Sequence, residues 1–192
     1  MQQVTINIEI TGTTPMLVHK FTDKEQLKAS LGQSSVSIGD KGEPYEQAED
    51  CLYKSTDGRP TVPQPNLFAC IMAAGKFFKD GKNKITTTKS SILTGCVDIH
   101  GVEFPIDYKN PWTVDTRPVR IPSTGGRILR HRPKFDDWKL SFMVSLDTSI
   151  MHEKTFREIV DAAGKRIGLG DFRPDCKGPF GKFVVTKWII EK

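Results

Sequence analysis

Between Asp161 and Trp188 the chain reads DAAGKRIGLGDFRPDCKGPFGKFVVTKW. A helix running into Ala162-Ala163 gives way to a loop with glycine at 164, 168, 170, 178 and 181. The loop in turn leads into a strand from Phe183 to Ile190. Glycine adopts the left-handed geometry of a helix C-cap without strain, so Gly164 is the expected end of that helix. The later glycines let a backbone come close to something. Lys165, Arg166, Arg173, Lys177 and Lys182 are interleaved with them, which points to an anion. A plain, solvated, turn-rich loop has the same composition.

The cationic excess is mild over the whole chain, +5 with a pI of about 9.0, and is compatible with a polyanion partner. With 37% hydrophobic and 27% charged residues, the 192-residue chain is expected to be soluble and folded around one sizeable core. No apolar run is long enough to cross a bilayer. The N-terminal MQQVTINIEI alternates instead of forming a secretory hydrophobic region, so a cytoplasmic location is expected. Cys51, Cys70, Cys96 and Cys176 are widely spaced and form no CxxC pair. Neither a metal site nor a disulfide framework is indicated, and no cofactor is expected. Cys70 lies in an apolar helix and reads as core.

Val4, Ile6, Ile8 and Ile10 alternate with polar residues, the pattern of a half-buried strand. Residues 22 to 62 are polar and rich in glycine and proline. They offer short helices at DKEQLKASL and PYEQAEDCLY, with a loop at SSVSIGDKG between them. Pro65 opens a helix with Leu67, Ile71, Ala74 and Phe78 on one face, stopping near Asp80-Gly81. A strand is expected around CVDIHGVEF. Two extended arms then flank Ser123 to Gly126 as a β-hairpin. Leu140, Phe142, Val144 and Leu146 mark another core strand, and Phe156, Ile159, Val160 and Ala163 an amphipathic helix. Without its insertions the order is βαββαβ, an α+β, ferredoxin-like (RRM-like) fold. It would form a single domain over 1–192, with a long loop/helical insertion at about 22–62 and a thumb-like hairpin insertion at about 105–138.

GKRIGLGDFRPDCKGPFGKF resembles the glycine-rich loop of the RAMP proteins, the RNA-binding subunits of CRISPR effector complexes. VPQPNLFACIMAAGKF is similar to the RAMP segment where a proline precedes the first helix, and ITGTTPMLVH is similar in placement to the first strand. The resemblance covers about half the chain. EPYEQAEDCLYKSTDGRPTVPQPNLFACIMAAGKFF looks like phage and mobile-element proteins, so a solitary protein resembling the effector backbone subunit is implied, working in a bacterial host cell. The resemblance further implies single-stranded RNA or DNA as partner, a homo-oligomer along the strand, and possible contact with CRISPR effector subunits, including as a mimic that blocks their assembly.

Single-strand binding needs cations for the phosphates and flat groups for the bases. Between Arg117 and Lys134 there are six Lys/Arg and no acid: Arg117, Arg120, Arg127, Arg130, Arg132 and Lys134. Alternation puts Arg130 and Arg132 on one face of the hairpin and His131 on the other. Lys165, Arg166, Arg173, Lys177 and Lys182 add to this set, with the amides around Gly168, Gly170 and Gly178 as a phosphate cradle. Phe172 is the best stacking candidate. Phe135, Trp112 and His131 are others, with Phe135 and Trp138 expected to pack in the core. The outward residues of the sheet (Thr5, Asn7, Glu9, Ser141, Met143 and Ser145) include no aromatic, so binding is expected to run along hairpin and loop, with weak sequence preference and steep salt dependence. The expected function is a non-enzymatic strand-coating protein. The alternative is a metal-independent ribonuclease using His19, with Lys20 or Tyr53 assisting. Asp23, Glu25, Asp136 and Asp137 are remote candidates for magnesium.

Overall fold

The computed structural model describes residues 3–21, 42–120 and 125–191. The helix expected at 23–31, most of the loop at 34–42, Ser123-Thr124 at the hairpin turn, Asp23 and Glu25 all lie outside the described residues.

Four antiparallel strands form the main sheet: β1 (Gln3–Gly12), β6 (Val97–His100), β10 (Lys139–Asp147) and β11 (Phe183–Ile190). Their order is β11-β1-β10-β6. Numbered by their succession in the chain, that order is 4-1-3-2, and with one helix from each of the two crossovers packed on the sheet the fold is ferredoxin-like. Ile6, Ile8 and Ile10 of β1 pair with Val144, Phe142 and Leu140 of β10, and all six are buried on one face. Each such side chain contributes roughly 1.5–3 kcal/mol by leaving water.

That face is covered by α2 (Gln64–Ala74) and α3 (Glu153–Ala162). Pro65 sits in the first turn of α2, where no intrahelical donor is lost. Leu67, Cys70, Ile71 and Ala74 face inward from it. The Nδ1 of His152 caps α3 by accepting the Lys154 amide at 3.1 Å, and Phe156, Ile159 and Val160 pack inward.

Two elements differ from expectation. Helix α2 stops at Ala74, passes through a 3₁₀ turn at Gly75–Phe77 and gives way to a small hairpin of β4 (Lys79–Asp80) and β5 (Asn83–Lys84). Gly75 presses so close to Thr86 that a Cβ would lie 2.3 Å from Oγ1, which brings the chain back on itself. Gly164 does not cap α3. A π-helical turn carries the chain from Ala163 to Ile167, and Gly168, with φ of 76°, ends it. Gly164 is needed for packing: a Cβ there would stand 2.1 Å from the Phe183 carbonyl oxygen.

Outside the sheet, β8 (Thr113–Arg120) and β9 (Arg127–Phe135) form the expected arm. Helix α1 (Pro44–Asp50) packs against it. The arm is rooted by β2 (Met16–Leu17), which pairs with Phe135 and Lys134 of β9, and Phe135 and Trp138 are buried as expected. β3 (Thr61–Pro63) and β7 (Glu103–Pro105) form a second small ladder at the start of α2. Among the described residues no helix is long and apolar enough to cross a membrane.

Candidate nucleic-acid interface

A cleft of about 300 Å³ separates one side of α2 from the glycine loop. Asn66, Ala69, Cys70 and Ala73 form the helix wall, at spacings that share one face. The small alanines keep the cleft open. The other wall is the backbone of Gly168 to Asp171 with Arg173, and His19 and Tyr53 also line the space. The Cys70 thiol stitches the two walls, donating to the Gly168 carbonyl at 3.2 Å. Burial pushes its pKa up to about 12, so it remains a neutral donor at physiological pH.

The glycines serve the loop's own packing. Gly170 has φ of 76°, and a Cβ there would lie 2.2 Å from the Leu17 carbonyl oxygen. The amides of Gly168, Leu169, Asp171 and Gly178 donate to the carbonyls of Ala163, Gly181, Leu17 and Arg173. The amides of Gly168 and Gly178 are thus engaged within the chain, and positive charge at the cleft comes from side chains.

Asp171 ties the arm to this loop. Its amide donates to Leu17 O at 2.7 Å, and Arg132 Nε stands 2.7 Å from its Oδ2. Arg132 is only 8% exposed. That contact has the distance of an ion pair without the alignment of a hydrogen bond. Arg117 donates through Nε to both oxygens of Asp115, at 2.9 and 2.8 Å, and its guanidinium lies 4.7 Å from the Phe180 ring centroid. Lys134 is 3.1 Å from Asp136.

The remaining expected residues are more open. Arg120 and Arg127 are exposed and directly opposed across the arm, and Arg117 and Arg130 are likewise opposed but half-buried. Arg130 and Arg132 share one face, and His131 occupies the other, bonded to Thr116 Oγ1 at 2.8 Å. Lys165 and Arg166 project from the π turn, and Lys177 is exposed with φ of 62°. Arg173 donates to the Gly170 carbonyl at 3.0 Å. Lys182 acts through its backbone, its carbonyl accepting the Thr13 amide. Phe172 is 36% exposed with φ of 47° and leans on Phe180, while Trp112 stacks on Tyr45 at 4.8 Å.

The histidines are dispersed. His100 meets Ser145 Oγ at 2.6 Å, His152 caps α3, and His19 Nδ1 is 3.6 Å from the Cys51 thiol. The open face of the sheet presents Thr5, Asn7, Glu9, Ser141 and Met143, with no aromatic among them.

Sequence reasoning missed the acidic partners Asp115 and Asp171, and an exposed aromatic, Phe77. Asp115 is separated from Arg117 by one residue, a signal available in the sequence. Asp171 is remote from Arg132 in sequence and was not legible.

No family model matches this sequence, and no curated protein matches it either. A chain of the "Cryo-EM structure of the Type III-B Cmr-beta bound to cognate target RNA" is similar in three dimensions, with a TM-score of 0.53 at 14% sequence identity. The likeness covers 99% of this chain and 61% of that one, so the chain spans about three-fifths of its neighbour's length. At this identity the likeness is one of fold, and it agrees with the ferredoxin-like scaffold described above.

Proposed function

We propose that the chain binds single-stranded nucleic acid, RNA first, without cleaving it, gripping the phosphate backbone along the arm and the cleft at its root. The carrying observation is the direct opposition of Arg120 and Arg127. Like charges facing each other across two strands cost stability, and among the described residues no acidic side chain stands against this pair. A polyanion lying over the arm would turn that cost into affinity. Arg132 and Asp171 fix the arm against a wall of the cleft, so both cationic regions can serve one strand. The RNA-bound state of the structural neighbour supports RNA as the ligand, and a backbone-directed grip of this kind suits protomers that coat the strand side by side.

Titration of labelled single-stranded RNA and DNA at two salt concentrations tests this. The expected result is affinity that falls steeply with salt and varies little with sequence. Binding no tighter than that of a neutral control protein overturns it. A second reading, metal-independent ribonuclease, is favoured by one observation: His19 and Tyr53 both line the cleft. It requires RNA cleavage that disappears in His19→Ala, and intact RNA after long incubation removes it.

A further inference from the structure

Past Ala73, the cleft's two walls meet again. The 3₁₀ turn at Gly75–Phe77 brings Phe77 beside the π turn of the glycine loop, where the Arg166 guanidinium lies 4.7 Å from the ring centroid. Lys76 Nζ is 5.2 Å from the same centroid and is held by Asp175 at 2.8 Å. Phe77 is nonetheless 42% exposed. An aromatic left this open and framed by two cations, four residues beyond Ala73 of the cleft's helix wall, has the make-up of a base-stacking site: a π face for the base and positive charge for the flanking phosphates.

We propose that Phe77 is the stacking platform for one nucleobase of the bound strand, with Arg166 as its placeholder. A guanidinium and a base are both planar and both stack on a ring. In the empty protein Arg166 occupies that position. When a base arrives, Arg166 moves off the ring and pairs with a phosphate. The platform rests on the single-strand-binding reading and gives that surface its base contact, which phosphate-directed arginines on the arm do not supply. The two residues therefore have separable signatures. Phe77 contributes contact with the base and no charge, whereas Arg166 contributes charge.

The test compares wild type with Phe77→Ala, Phe77→Leu, Phe77→Trp and Arg166→Ala on labelled oligouridine and on an abasic oligomer of equal length. Thermal melts confirm that each variant is folded. Phe77→Ala and Phe77→Leu are expected to weaken oligouridine binding by roughly tenfold to a hundredfold, the range for one lost base–aromatic stack. They should leave abasic binding unchanged, and Phe77→Trp should retain affinity. Arg166→Ala is expected to lower the salt slope by about one on both oligomers, which the Phe77 variants do not. If wild type binds and Phe77→Ala matches it on oligouridine, or loses equally on the abasic strand, the platform is wrong while the wider reading stands. If wild type binds neither oligomer, the wider reading fails and takes the platform with it.

Discussion

At the root of the β8–β9 arm, Arg132 is buried against Asp171 and Arg117 is held by both oxygens of Asp115. At its outer end, Arg120 and Arg127 are exposed and face one another with no acid recorded beside them among the described residues. The residue type is the same and the strands are the same. The difference is in the surroundings. Where the arm meets the glycine loop, Arg132 is buried, and leaving water would cost its guanidinium several kcal/mol, so a carboxylate must accompany it, whereas Arg117 keeps part of its hydration. Further out, water and salt screen the charge, and repulsion costs little enough to be kept. The arm is therefore a structural joint at one end and a candidate contact surface at the other.

Removing a root arginine should break this contrast most visibly. Arg132→Ala leaves Asp171 without its cation and a void in a packed joint. Breaking a buried pair costs about 3–5 kcal/mol, and because Asp171 keeps part of its hydration the loss should sit near about 3 kcal/mol. Chemical denaturation measures it. A loss below about 0.5 kcal/mol, the usual scale of an ordinary surface substitution, would mean that the joint is not a joint. Gly170→Ala attacks the same joint from the loop side. Its Cβ would meet the Leu17 carbonyl oxygen in a left-handed backbone geometry, and roughly 2 kcal/mol of stability should go. An unchanged melting temperature would show that the loop yields at no cost.

The scaffold was legible in the sequence because its signals are local. The alternation of Ile6, Ile8 and Ile10, and of Leu140, Phe142, Val144 and Leu146, fixes strands and their buried face within a few residues. The spacing of Phe156, Ile159 and Val160 does the same for α3. The glycine loop was legible in composition and misleading in role. Gly164 resembles a cap, yet its constraint is the carbonyl of Phe183, set by the return of β11. The acid-free run from Arg117 to Lys134 looked like one continuous surface for the same reason: Asp115 lies just outside it, and Asp171 comes from the far end of the chain. Phe77 was hidden because the turn that presents it depends on Gly75 fitting against Thr86.

The outer arginines give the smallest effect on stability, and one whose sign is informative. Arg120→Glu turns a like-charge cross-strand pair into an opposite-charge pair with Arg127, so the fold should gain a few tenths of a kcal/mol. The same change removes a phosphate contact and adds repulsion, so single-strand affinity should fall and the salt slope should drop by at least about one. Adding Arg127→Glu restores a like-charge pair of the other sign. Stability should then return towards wild type while affinity falls further. A surface that served only the fold would move stability and binding together. Opposite movement on the first substitution, followed by a reversal in stability alone on the second, is the signature of charges kept for an anion that the isolated chain lacks. Parallel movement of the two quantities through the series would remove the outer arm from the interface.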